Sequence, residues 1–164
     1  MFRIAFPVIL VTALAGCATS LRVPPTGPTE AADHAGAVPE RAAEAALMAV
    51  ALIGTPYAPR GGSPDTGFDC SGLVAYVYAR ALQVALPRNT FDLSRAGVAV
   101  AASALQPGDL VFYNTQHRPF SHVGIYLGDM RFVHAPSSGG AVRLENMRVA
   151  YWTRRFDGAR RIAF

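Results

Sequence analysis

The feature that most constrains this chain is a change of hydrophobic period at Pro107-Gly108. Upstream the apolar residues recur at helical spacing. Pro39 suits a first helical position, with Glu40 and Glu44 at the positive end of the dipole. Ala46, Leu47, Val50 and Ile53 form one apolar stripe, which Gly54 ends. Residues 55–69 carry Pro56, Pro59, Gly61, Gly62, Pro64 and Gly67 and must be loop. A second helix is predicted over residues 70–82, its apolar face built from Leu73, Val74, Tyr76, Val77 and Tyr78. Asn89 or Thr90 caps a short third helix that ends at Gly97. Downstream the period becomes two. Residues 110–113 read as a strand, and Val123, Ile125 and Leu127 alternate with Gly124 and Tyr126. Gly128-Asp129 turns the chain and residues 131–135 return as the second arm of a hairpin. Residues 142–145 and 159–162 are further strands. Helices followed by a mostly antiparallel sheet define an α+β fold.

The N-terminus reads as processing signal. Arg3 precedes an apolar run, broken by Pro7, that is too short to span a bilayer, for which roughly 20 residues are needed. The run ends in Leu14-Ala15-Gly16-Cys17, which resembles the lipobox of bacterial lipoproteins. That resemblance implies cleavage after residue 16 and a lipid on Cys17. Ala18 stands where inner-membrane retention would usually place Asp, so an outer-membrane anchor facing the periplasm is expected. Residues 17–38 then form a lipidated terminus and flexible linker, rich in Pro24, Pro25, Gly27, Pro28 and Gly36, with His34 a solvated bystander. Residues 39–164 are enough for one core and one domain.

The two cysteines are Cys17 and Cys70. A disulfide between them is formally possible, but a lipid on Cys17 leaves Cys70 as a free thiol in an oxidising compartment. The stretch Phe68-Asp69-Cys70-Ser71-Gly72 sets that thiol at a loop-to-helix junction. The unpaired N–H groups and dipole of a helix start stabilise a thiolate, the nucleophilic form. The bland alternative is an inert core cysteine. His122 opens one arm of the hairpin and His134 lies on the other, at similar height, where side chains sit a few Å apart. If the Cys70 helix crosses this sheet, the three residues become nucleophile, base and orienter. A neutral His134 accepts a bond from His122, and backbone N–H groups at the helix start receive the oxyanion. A Cys70–His122 ion pair would give a bell-shaped pH profile.

These residues sit in longer motifs. Gly54-Thr55-Pro56-Tyr57, Gly61-Gly62, Phe68-Asp69-Cys70-Ser71-Gly72-Leu73-Val74, Leu86-Pro87-Arg88, Leu105-Gln106-Pro107-Gly108-Asp109-Leu110-Val111-Phe112, Ser121-His122-Val123-Gly124-Ile125-Tyr126-Leu127-Gly128, Phe132-Val133-His134-Ala135 and Gly158-Ala159-Arg160-Arg161 resemble, in order and spacing, the motifs of the NlpC/P60 family. The resemblance implies a papain-like α+β fold and a peptidase of bacterial cell-wall peptidoglycan, of the Gram-negative lipoprotein type. It implies that Cys70 is the nucleophile, His122 the general base and His134 the polar orienter. It sets Tyr57 near the oxyanion, and Asp69, Ser71 and Arg88 along the substrate cleft. Residues 89–93 depart from the family pattern. So do residues 114–120, which include His117, Arg118 and Phe120: either a subsite-shaping segment or a variable loop. The expected partners are peptidoglycan stem peptides and, through the lipid, a membrane; no cofactor is expected, and the protein is read as a monomer. Two bonds fit, D-glutamyl–diaminopimelate within a stem and D-alanyl–diaminopimelate between stems.

Composition argues against other classes. The formal charge is +4, with every basic residue an Arg. The arginines are scattered, apart from Arg154-Arg155 and Arg160-Arg161, which read as solvated strand-edge charges, so no nucleic-acid stripe exists. A zinc site from Cys70, His117, His122 and His134 lacks paired ligand spacing. A catalytically silent peptidoglycan-binding lipoprotein would not need all three candidate catalytic side chains. Circularly permuted acyltransferases and amidases of related thiol folds place the histidine before the cysteine; here Cys70 comes first.

Overall fold

A computed structural model of the protein describes residues 30–138 and 140–163, with side chains from Arg41 onward. The signal segment, Cys17 and the linker through residue 29 lie outside the described residues. The order is α1 (Glu30–Ala51), β1 (Gly62–Ser63), β2 (Gly67–Phe68), α2 (Cys70–Val77), α3 (Thr90–Leu93), β3 (Val98–Val100), β4 (Leu110–Tyr113), β5 (His122–Gly128), β6 (Arg131–His134), β7 (Arg143–Asn146), α4 (Ala150–Thr153) and β8 (Phe156–Arg161). After α2 the chain winds through a wider turn, Tyr78–Leu82, and Gln83 closes it in the left-handed region. Six strands form one antiparallel sheet in the order β3-β8-β4-β5-β6-β7. The small β1–β2 ribbon lies in the segment expected to be loop throughout.

Period-two alternation divides the sheet into two faces. Leu110, Phe112, Val123, Ile125 and Val133 pack against Ala45 and Ala49 of α1 and Leu73, Val74 and Val77 of α2. On the other face Val111, Tyr113, Tyr126 and Phe132 gather around Trp152 of α4 and Met147. By the same alternation His122 shares its face with Tyr126, and His134 with Phe132. The β5–β6 hairpin forms where the sequence placed it. Asp129 and Met130 both adopt positive φ, 50° and 59°, the geometry a tight two-residue hairpin turn demands.

Helix α1 differs from expectation in two ways. It begins at Glu30 rather than Pro39, so residues 30–38, read as linker, are helical. The alanines around residues 31–37 are strong helix formers, and the helix runs on through Gly36 and Pro39 although both are unfavourable in a helix interior. Its buried stripe is also shifted: Ala46 faces the core as expected, but with Ala45 and Ala49, whereas Leu47 is 70% exposed and Val50 and Ile53 are also exposed. Small alanines let the helix approach the sheet closely, and the larger side chains are turned outward.

The basic pair at the end of β8 is partly exposed but engaged by partners rather than merely solvated. Arg161 donates from Nε and Nη2 to the two carboxylate oxygens of buried Asp109, at 2.8 and 2.7 Å. Arg160 donates to the Ser94 carbonyl. The Asp109 carboxylate also accepts from Gln106 N, so it joins the turn before β4 to the strand beside it. Strand β3 and the single turn α4 escape sequence reading because neither is long enough to show a period.

Candidate active site

Asp69 makes the loop-to-helix junction. It is the N-cap of α2, with φ −89° and ψ 174°, and its Oδ1 accepts from Gly72 N at 2.6 Å. The Ser71 hydroxyl lies 2.9 Å from both Asp69 Oδ1 and the Arg88 carbonyl. Arg88 Nη1 stands 3.5 Å from the same carboxylate, and its Nη2 donates to the carbonyls of Gly61 and Arg60. The three residues assigned to the cleft are therefore gathered beside Cys70 as one network. Ser71 is buried and its hydroxyl is engaged, so within this network it positions Asp69; Arg88 is the member with a solvent-facing side chain.

Cys70, a free thiol, is the first residue of α2. Backbone N–H groups of Val123, Ser71 and Cys70 itself face its sulfur and favour its ionised form. Val123 follows His122, so this contact joins the helix start to the opening of β5. The resting thiol is not the stabilised thiolate that a helix start suggests. Burial, and then the Asp69 carboxylate, push it up to about 11, outweighing the N–H groups that lower it. Asp69 already occupies the positive end of α2, so its charge opposes a second anion there. Tyr57 is held by a bridge to Phe68 and a bond from its N–H to the Gly140 carbonyl. Its phenol is raised by burial first and then by the charges of Cys70 and Asp69, which sets it on the thiol side of the site.

His122 and His134 meet across β5 and β6. His122 Nε2 and His134 Nδ1 are 2.6 Å apart, with the rings nearly perpendicular at 89°. Both are buried. Burial and then the Arg143 guanidinium lower His122 to about 4. Burial, His122 and Arg143 lower His134 further. By these directions the two imidazoles and the thiol all rest neutral. His117 sits exposed in the 114–120 loop at φ 54°, away from these residues. Phe120 anchors that loop, packing edge-on to Phe112 and donating its N–H to Asp157. Among the described residues no group of three His, Cys, Asp or Glu is placed to hold a metal ion.

Three side chains at the site were not singled out from sequence. Trp152 lies under the histidines, 6.1 Å from His122 and 5.1 Å from His134 between ring centroids. Arg143 pairs with His134 across β6 and β7, and Glu145 lies two residues along on the same face. They line a cavity of about 540 Å³ together with His122 and His134. The signal was present: residues 142–145 read as a strand after the one bearing His134, and period two sets Arg143 and Glu145 on one face. The lone tryptophan had no period to announce it.

A thiol at a helix N-terminus packed against an antiparallel sheet that carries a histidine pair defines the papain-like α+β class. The model of the NlpC/P60 family matches residues 54–161, and the chain belongs to that family. It is 41% identical over 113 residues to murein DD-endopeptidase MepH of Escherichia coli K12, covering 67% of this chain and 42% of that protein. It is 42% identical over 110 residues to gamma-DL-glutamyl hydrolase of Bacillus subtilis 168, covering 66% of this chain and 26% of that one. A crystal structure described as similar to lipoprotein, NLP/P60 family, from Staphylococcus aureus Mu50 superposes with a TM-score of 0.66 at 34% identity, covering 76% of this chain and 42% of that one. The chain spans less than half the length of each of these proteins.

Proposed function

We propose that this protein is a peptidoglycan endopeptidase that hydrolyses stem-peptide amides at D-centres next to diaminopimelate. The observation that carries the reading is the short His122 Nε2–His134 Nδ1 bond. It leaves His122 Nδ1 to serve the thiol. For Nδ1 to accept a proton, the neutral His122 must carry its own on Nε2 and donate it to His134. Cys70 Sγ gives its proton to Nδ1 as sulfur attacks the amide carbon. The oxyanion is met by N–H groups at the start of α2 and by the Tyr57 hydroxyl. His122 then protonates the leaving amine. A thioester forms, and water, deprotonated by His122, opens it to the acid and the free thiol. The relatives' names, a murein DD-endopeptidase and a gamma-DL-glutamyl hydrolase, support this substrate class. Mass spectrometry of muropeptides before and after digestion tests it. New termini at D-alanyl–diaminopimelate or D-glutamyl–diaminopimelate bonds identify the bond; intact muropeptides, with the protein bound to them, would establish the silent binder instead.

The pH dependence follows from a neutral resting pair. Protonating His122 removes the base, so activity falls as pH drops toward about 4. Losing the thiol proton removes the neutral pair only near 11. A broad plateau between those limits is expected, and alkylation of Cys70 by iodoacetamide should climb steadily to the alkaline end. An alkylation midpoint near neutral pH would mean that an ion pair exists after all.

The N-terminal segment extends the proposal. Leu14-Ala15-Gly16-Cys17 supports lipidation of Cys17 and an outer-membrane anchor facing the periplasm. Palmitate labelling and membrane fractionation should follow the wild-type chain and be lost together in Cys17→Ser. Retained label in that variant would remove the anchor from the account.

A further inference from the structure

We propose that Arg143 and Glu145 form an outer station of the site, two positioning residues that hold His134 as a neutral acceptor with its proton on Nε2. This rests on the reading that His122 and His134 serve Cys70. If His122 donates from Nε2, His134 must accept at Nδ1, and its one proton then lies on Nε2. That atom is buried and meets no hydrogen-bond partner among the described residues. It points toward Glu145, whose Oε1 stands 4.0 Å away. A side-chain shift of about 1 Å would bring the two into bonding range.

The carboxylate is held for this purpose from two sides. Arg143 Nε donates to Glu145 Oε1 at 2.8 Å, and the Trp152 indole N–H donates to Oε2 at 3.1 Å. The same indole packs edge-on against His134. Both positions on β7 come from one strand face, with Arg143 directly opposite His134 and Glu145 on the diagonal.

The pairing with Arg143 decides which histidine takes the proton. An unpaired carboxylate would favour a protonated His134. A doubly protonated His134 would donate from Nδ1, making His122 Nε2 the acceptor and moving the His122 proton to Nδ1, facing the thiol. His122 would then be in the wrong tautomer to act as base. The guanidinium offsets that charge while leaving Oε1, the oxygen nearer His134, a second lone pair to accept. The charged and titratable groups facing His134 are His122 on β5 and Arg143 and Glu145 on β7; Tyr151 of α4 lines the same cavity.

The test uses the full chain with ¹⁵N-labelled histidine. Tautomers are read from ring nitrogen shifts, and kcat and KM are measured across pH on purified muropeptides. Glu145→Ala should lower kcat by about 10-fold or more with KM little changed, and mix the His134 tautomers. Glu145→Gln, which keeps an acceptor oxygen, should restore most of that loss. Arg143→Gln should raise the His134 titration and move the acid limb of kcat upward. Unchanged kcat and unchanged His134 shifts in Glu145→Ala would overturn the proposal. If Glu145→Ala fails to fold, an Arg143→Gln profile that matches wild type overturns it equally. The parent reading fails separately, if His122→Ala retains activity.

Discussion

Replacing Cys70 by alanine should reduce muropeptide hydrolysis by at least about 10⁴-fold while leaving the fold intact. The thiol is the only group at the α2 start able to form the thioester. What remains in Cys70→Ala is a site that still binds and polarises a carbonyl without a nucleophile. Cys70→Ser should be nearly as inactive, because a hydroxyl is far harder to ionise than a thiol and the Asp69 carboxylate, already next to this position, opposes any anion there. The folded state should tolerate the alanine: the groups that face the sulfur are backbone N–H groups of the helix start and of Val123 on β5, and no side chain loses a partner. Equal thermal transitions together with lost activity give the expected result. A folded Cys70→Ala protein that digests peptidoglycan at even a few per cent of the wild-type rate would overturn the proposed mechanism.

Gly72→Ala should be the most disruptive single methyl addition near the site. A Cβ at position 72 would fall inside contact distance of the Gly61 carbonyl oxygen and the Arg88 guanidinium. Neither can retreat freely. The Gly61 carbonyl accepts from Asp69 N at 3.2 Å and from Arg88 Nη2 at 3.0 Å, and Arg88 also faces Asp69. Relieving the clash therefore pulls on the N-cap that orients Cys70. Overpacking a close contact costs roughly 3 kcal/mol, which for a domain of this size lowers the thermal midpoint by about 10 °C. Activity should fall with it, because the thiol moves with the helix start. A calorimetric midpoint within two or three degrees of wild type would show that the β1–β2 ribbon yields without strain.

Much of the architecture was legible because it is written in local chemistry. The alternation of Val123, Ile125 and Leu127 and the Gly128-Asp129 turn specify a hairpin whichever residues pack against it, and the structure forms it there. Asn89 caps α3 as its side chain predicts, accepting from Asp92 N. Helix α1 was misread in the step where local pattern stops being sufficient. Leu47, Val50 and Ile53 are the larger apolar residues, yet burial went to Ala45, Ala46 and Ala49. Which stripe faces inward depends on how closely the sheet approaches, and that is a property of the partner surface.

By itself the sequence determined the thiol at a helix start, the two histidines on neighbouring strands and the family motifs that link them. Short-range spacing, turn residues and caps suffice for those. Only the tertiary structure decided the state of the site. The Cys70 thiol is raised rather than lowered because burial and Asp69 act together on one atom. The histidines are neutral because distant segments cover them and Arg143 faces them from β7. Asp69, Ser71 and Arg88 become one network because the chain returns after residue 82 to lay the Arg88 carbonyl and guanidinium on the cap. Desolvation and through-space charge sum over neighbours far apart in sequence, so they come into being only when the chain has closed around them.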